Sequence, residues 1–290
     1  MIMTYAVYPF TNNTFMLNAF MAGVLVSIAC GVVGTFVVLR GLAFIGDALA
    51  HGALPGIAIA TLLHLPGLLG AATGALVMVF GINMITRRSN LSLDTAIGLL
   101  LVGMLALGVV IISRSHTPSG DLTQILFGET LGVGTLELVI QLVATLVILL
   151  LAIICYRPFL LLCFSPEQAE TSGFSYRRYH MIMLIMIAMT IIMSFQTVGT
   201  MLVFGMLIAP AASAALFSRK ISTMILSASG IGALSVYIGL LISYHFDVAA
   251  GATIALVASM LFFLMLCIKQ LLTNTAKKAH QNNSSRGMTS

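Results

Sequence analysis

The chain has 290 residues, of which 60% are hydrophobic and 7% charged, with a mean hydropathy of +1.11. About a quarter of the residues in soluble domains are charged, so this composition excludes a soluble fold and indicates a polytopic membrane protein. A net charge of +5 does not indicate a nucleic-acid binder, because the thirteen Lys and Arg are scattered between apolar runs and no basic face interleaves with aromatics.

About 20 apolar residues in a helix cross the hydrocarbon core, and nine such runs follow one another along the chain. They cover roughly 16–39, 42–63, 67–86, 93–113, 134–156, 179–197, 199–217, 222–242 and 250–270. Helices are forced, since hydrocarbon offers backbone groups no partners and an open sheet would leave its edges unpaired. The expectation is therefore an all-α fold with about nine transmembrane helices. Residues 179–217 form a stretch about two crossings long, and the split is placed at Gln196–Gly199.

The distribution of positive charge fixes the expected orientation. With nine crossings and a cytoplasmic C-terminus, Arg40, Arg87, Arg88, Arg157, Arg177, Arg178, Arg219, Lys220, Lys277, Lys278 and Arg286 share the cytoplasmic side, with Lys269 at its edge. Only Arg114 falls outside. The first fourteen residues carry no Lys or Arg, so the charged start of a cleavable signal peptide is missing and the first span is expected to stay.

In chain order, the first chemistry-bearing stretch is "GDALAHGALPG", residues 46–56, within the second run. Asp47 and His51 stand at i and i+4, so a helix puts them on one face about 5–6 Å apart at Cβ, where both could grip one cation. A carboxylate at mid-membrane costs about 3 kcal/mol, so such residues usually face a cavity and mark an ion path. The plainer alternative is that Asp47 caps a neighbouring helix and His51 satisfies it. Carboxylate with neutral imidazole suits manganese, iron or zinc better than copper(I), and acid weakens binding by protonating the imidazole. Two ligands are half a site, because zinc takes four and manganese up to six, which points to two facing subunits. Pro55 and Gly56 follow within a turn. Proline removes a backbone bond and disturbs the preceding turn, giving either a helix break beside the site or an ordinary kink.

Two connections are longer than the others: 114–133, facing outward, and 157–178, facing the cytoplasm. The second contains a helix start, with Ser165 as cap, Pro166 in the first helical position, Glu167 in the first turn and Gly173 as the stop. A short amphipathic helix there is a docking surface. Asp94 reads as a first-turn acid at a helix start, and Asp247, beside His245, as a helix-start cap. His64, His116, His180 and His280 read as solvated polar residues near the ends of spans. The methionines at 181, 183, 186, 189 and 193 read as packing among Ile and Leu, and cysteines 30, 155, 163 and 267 lack metal-type spacing. Residues 273–290, rich in Asn, Ser and Lys, are expected to form a disordered cytoplasmic tail behind a single permease domain over 1–272. No phosphate-binding loop of the form G-x-x-x-x-G-K-[ST] occurs, so hydrolysis of ATP would need another chain.

Several stretches together resemble the membrane subunit of the bacterial ABC-type manganese/zinc/iron uptake permeases. They are "FVVLRGLAFIGDALAHGALPG" at 36–56, "LFGETLGV" at 126–133, "SPEQAETSGF" at 165–174 and "VGTMLVFGMLIAPAASA" at 198–214. The resemblance covers nearly the whole chain and departs from the family near the last outward turn, where the family often has proline in place of Ala249 or Ala250. It implies a fold of the vitamin B12 and siderophore importer kind, in the bacterial plasma membrane, with a second permease subunit, most simply a second copy. It further implies two ATP-binding subunits below and a metal-delivering solute-binding protein above. Asp47 and His51 would be the metal ligands, and Ser165, Pro166, Glu167, Ala169, Glu170 and Gly173 the coupling segment that docks on the ATPase. The chain itself would be no enzyme and hold no permanent cofactor; its cargo would be manganese, with zinc or iron next. The rival readings are an importer of iron chelates, which needs no charged ligands in the membrane, and a metal transporter working alone on a proton gradient.

Overall fold

The computed structural model describes residues 14–89, 91–114, 134–164, 174–198 and 200–287, and the regular structure among them is entirely helical. The elements are α1 (Thr14–Leu39), α2 (Ala43–Gly52), α3 (Leu54–Leu62), α4 (Gly67–Arg88), α5 (Leu93–Arg114) and α6 (Thr135–Ile154). They continue with α7 (Tyr156–Phe164), α8 (Tyr176–Val198), α9 (Thr200–Phe217), α10 (Ile221–Phe246) and α11 (Ala250–Gly287). Among the described residues eight helical stretches are long and apolar enough to cross a membrane, α2 and α3 counting as one, and α9 is a ninth, shorter apolar helix from Leu202. Each of the nine expected spans thus meets one helical stretch, and the split read at 196–199 falls between α8 and α9.

Two segments differ from the sequence reading. Residues 156–164, read mostly as part of a connection, form α7, which buries Phe159 and Leu162 and leaves Arg157 exposed. Pro158 lies in its first turn, where a missing N–H is tolerated. The Phe159 ring meets Phe36 of α1 edge-on at 5.3 Å, so a tertiary contact defines this helix. The backbone of α11 also stays helical to Gly287, through the segment read as a disordered tail. Ala276, Lys277, Lys278 and Ala279 are good helix formers, and extending an existing helix avoids the cost of nucleation.

Helix α1 is the most buried span and packs against α6, α8, α9 and α10. Its Phe36 joins Ile45 and Leu49 of α2, Met78 of α4, Met183 and Met186 of α8 and Leu207 of α9 in one continuous apolar core. Methionines on α8 are therefore packing residues at 183 and 186, as expected for a flexible thioether. Several hydroxyls inside the bundle are satisfied locally. The hydroxyls of Thr35, Thr190, Ser213 and Ser235 each donate to the carbonyl four residues earlier, which costs nothing in hydrocarbon because no water is needed.

Helices α3 and α4 pack closely through glycine. A methyl group on Gly56 would collide with the Gly70 carbonyl and crowd Gly74. This contact fixes the α3 end of the α2–α3 unit against α4, while α2 itself touches α5, α8, α4 and α9.

Candidate metal site

The site begins at the end of α1. Gly41 has φ +67°, and the amides of Gly41 and Leu42 donate to the carbonyls of Val38 and Val37 at 3.1 and 3.0 Å. This is the Schellman end to a helix, which requires a left-handed residue that glycine adopts without strain. The chain turns there and α2 starts at once, with Ile45 donating to the Leu42 carbonyl.

Ile45, Ala48 and Leu49 bury one face of α2, an i, i+3, i+4 stripe. Asp47 and His51 lie on another face. Their side chains approach to 3.4 Å, His51 Nε2 to Asp47 Oδ1, with 39% of Asp47 and 25% of His51 exposed. That separation is long for a hydrogen bond and leaves both groups available to one ion. His51 Nδ1 is buried without a partner, an uncompensated polar atom next to the carboxylate.

Helix α2 ends at Gly52, Ala53 intervenes, and α3 carries Pro55 in its first turn. Pro55 is four residues after His51, so the amide that would pair the His51 carbonyl in an unbroken helix is absent. The interruption read near Pro55 and Gly56 therefore sits at Ala53, on the N-terminal side of the proline. Gly56 faces α4 and serves close packing, away from the groove.

Asp47 and His51 open into a groove of about 690 Å³ whose opposite walls are Phe204, Gly205 and Ile208 of α9 and Ala252, Ala255 and Ser259 of α11. Asp47 is the one formal charge among the described residues of the lining, so the groove favours a cation. Among the described residues no third His, Cys, Asp or Glu joins the pair. The groove is also flanked by exposed apolar side chains, Phe44 at 69% and Leu256 at 53%. One chain thus supplies two donors on an uncovered apolar face. The α9 wall residues recur at 204–205 and 208–209, a helical spacing legible within the quoted 198–214 stretch, although their pairing with α11 was not.

Other candidate residues are dispersed. Ser165, Pro166, Glu167, Ala169, Glu170 and Gly173, and the 126–133 stretch, lie outside the described residues. His64 is exposed in the turn between α3 and α4. The ring of His245 is engaged with the Leu241 carbonyl at 2.9 Å. Asp247 is not a helix-start cap: it is the left-handed end residue of α10, φ +53°, with its amide directed to the Ser243 carbonyl. Asp94 is in the first turn of α5, as read. His180 is not solvated; it is 7% exposed and bonded to Arg40 at 2.8 Å. Its sequence neighbours Tyr179 and Met181 gave no sign of this, because the partner lies 140 residues away.

A family model described as the ABC 3 transport family matches residues 12–269. The chain belongs to this ABC 3 transport family. It is 38% identical over 266 residues to the "Manganese transport system membrane protein MntC" of Listeria innocua, spanning 91% of this chain and 95% of that protein. It is 36% identical to the "Probable iron transport system membrane protein" of Haemophilus influenzae, spanning 89% of this chain and 94% of that one. Among solved structures, PsaBC from Streptococcus pneumoniae, in complex with Fab, superposes with a TM-score of 0.81 at 35% identity, covering 91% of this chain and 95% of that chain. The ABC 3 chain is accordingly an all-α, multi-pass membrane component with the fold of an ABC permease.

Proposed function

We propose that this chain is the permease subunit of an ATP-driven importer of divalent transition-metal ions, manganese first and zinc or iron next. The observation that carries the reading is the Asp47–His51 pair, 3.4 Å apart on the rim of a groove with no other charge among the described residues of its lining. Carboxylate and imidazole are hard-to-borderline donors that suit these ions, and His51 Nδ1, buried and unpartnered, gives the ring one more unmet polar contact. An uncovered carboxylate in hydrocarbon is unfavourable, so a second copy placed over the groove would both shield Asp47 and supply two further ligands. Four protein donors then surround one ion.

Movement comes from elsewhere, since the sequence carries no phosphate loop. In this reading the 165–173 segment docks on an ATP-binding subunit, a solute-binding protein delivers metal from the outer side, and the C-terminus is cytoplasmic in the bacterial plasma membrane. Binding and hydrolysis of ATP shift the paired permeases between two packings that expose the ligands to opposite sides. The relatives named for manganese and for iron support this class of cargo.

The test is metal analysis of the purified complex after equilibration with equimolar Mn²⁺, Zn²⁺ and Fe²⁺. One ion per permease pair, and its loss in His51→Ala, is the expected result. Undiminished metal in His51→Ala, with the complex intact, refutes the assignment.

A further inference from the structure

Arg40 stands between two parts of the permease that the transport cycle must connect. It follows the last residue of α1 and precedes Gly41, so it is the base from which α2 departs toward Asp47 and His51. Its guanidinium reaches across to the first turns of α8. One nitrogen lies 2.8 Å from His180 Nδ1, another donates to the Tyr176 hydroxyl at 2.9 Å, and the guanidinium carbon is 5.6 Å from the centre of the Tyr176 ring. Tyr176 and His180 stack on one another at 5.7 Å with 13° between their planes. Arginine has no acceptor, so His180 Nδ1 accepts and the proton of its neutral ring is on Nε2. The rings and the guanidinium form one interlocked unit.

The position of that unit matters more than its strength. Tyr176 opens α8, three residues after the 165–173 segment, whereas Asp47 is seven residues after Arg40. A two-pronged bond fixes rotation as well as distance, which a single lysine ammonium cannot do. The adjoining Gly41, at φ +67°, and the hydrogen bonds of Gly41 and Leu42 back to α1 tie the start of α2 to the end of α1, so a displacement of Arg40 is passed on to α2.

We propose that Arg40 is the positioning residue that transmits displacement of the 165–173 segment, through Tyr176 and His180, to the ligand helix α2. This rests on the proposed reading of 165–173 as the ATPase-docking segment and of Asp47 and His51 as metal ligands. Arg40 touches no cargo; it sets where its ligands stand when α8 moves.

The experiment uses the full complex with its ATPase in proteoliposomes, with Mn²⁺ as probe. Arg40→Gln is expected to lower Mn²⁺ transported per ATP hydrolysed at least tenfold, and Tyr176→Phe by twofold to fivefold. Equilibrium Mn²⁺ bound per complex and the ATPase rate should stay within twofold of wild type in both. Arg40→Lys should fail to restore the ratio, because it keeps the charge and loses the fork. A ratio within twofold of wild type in Arg40→Gln overturns the proposal, and so does a loss of bound Mn²⁺ that parallels the loss of transport. If Arg40→Gln does not assemble, Tyr176→Phe alone decides, since it deletes one hydroxyl.

A second readout is independent of metal: amide hydrogen exchange over residues 43–52 in the detergent-purified permease. Exchange should quicken at least threefold in Tyr176→Phe while α10 is unchanged, and an unchanged 43–52 segment counts against the linkage. Asp47→Asn is run in parallel. If it still accumulates Mn²⁺, the ligand reading fails and the exchange data judge the Arg40 linkage on their own; if it does not, the coupling ratios judge it.

Discussion

Asp47→Asn separates the charge of the site from its shape. The amide fills the same volume and keeps an oxygen at the Oδ1 position, 3.4 Å from His51 Nε2, but removes the only formal charge among the described residues of the groove lining. A dication and a carboxylate about 4 Å apart attract by about 8 kcal/mol at an effective dielectric near 20. Asp47 is 39% exposed, so solvent and desolvation offset much of this. Retaining a quarter leaves about 2 kcal/mol per carboxylate, or roughly thirtyfold in affinity, and about a thousandfold for the two carboxylates of a permease pair. Folding should not suffer, because an unpaired carboxylate facing hydrocarbon is itself unfavourable by about 3 kcal/mol. The assay is Mn²⁺ binding by isothermal titration to the purified complex, paired with its thermal midpoint. Affinity should fall by two to three orders of magnitude while the midpoint holds or rises. A fall in affinity below fivefold, or a complex that no longer assembles, refutes the reasoning and favours a helix-capping role for Asp47.

Three further outcomes are expected. Gly56→Val should force α3 away from the Gly70 carbonyl and cost at least 2 kcal/mol as overpacking, read as a lower thermal midpoint of the purified permease. Burial pushes the Cys163 thiol from its usual 9.0 up to about 11, against an opposing pull from the Arg40 charge. Alkylation at pH 7 should therefore be about a hundredfold slower than in the unfolded chain, and the folded state should lose this contribution only as pH rises past about 9 toward 11. Gly173→Leu should leave Mn²⁺ binding intact while ATP hydrolysis no longer drives uptake in proteoliposomes; normal uptake would remove 165–173 from the docking role.

The spans were legible in the sequence because the bilayer imposes one rule everywhere: an apolar run of fixed length must be a helix. The boundary between α8 and α9 was legible for the same reason, a run too long for one crossing. Asp47 and His51 stood out by their rarity in an apolar stretch, and i, i+4 spacing placed them on one face. What the sequence did not disclose depends on partners distant along the chain. Helix α7 exists because Phe159 meets Phe36, and His180 is buried because Arg40 reaches it from the end of α1. Asp247 was read from its nearness to the next helix start, yet a left-handed residue closes α10 before that helix begins. The described α9 and α11 wall of the groove is glycine, alanine and aliphatic residues with one phenylalanine and one serine, common types in any span that carry no chemical mark apart from their place in the fold.

A groove that offers only two donors and lies open on one side ties occupancy to association. If, as proposed above, two copies share one ion, that ion binds the pair more tightly than either copy alone, and by mass action it also draws the copies together. Each hundredfold excess of ion over its dissociation constant then adds about 2.7 kcal/mol to the cohesion of the pair. Scarcity of metal would loosen the pair and abundance would bind it together, with the cargo acting as its own fastener.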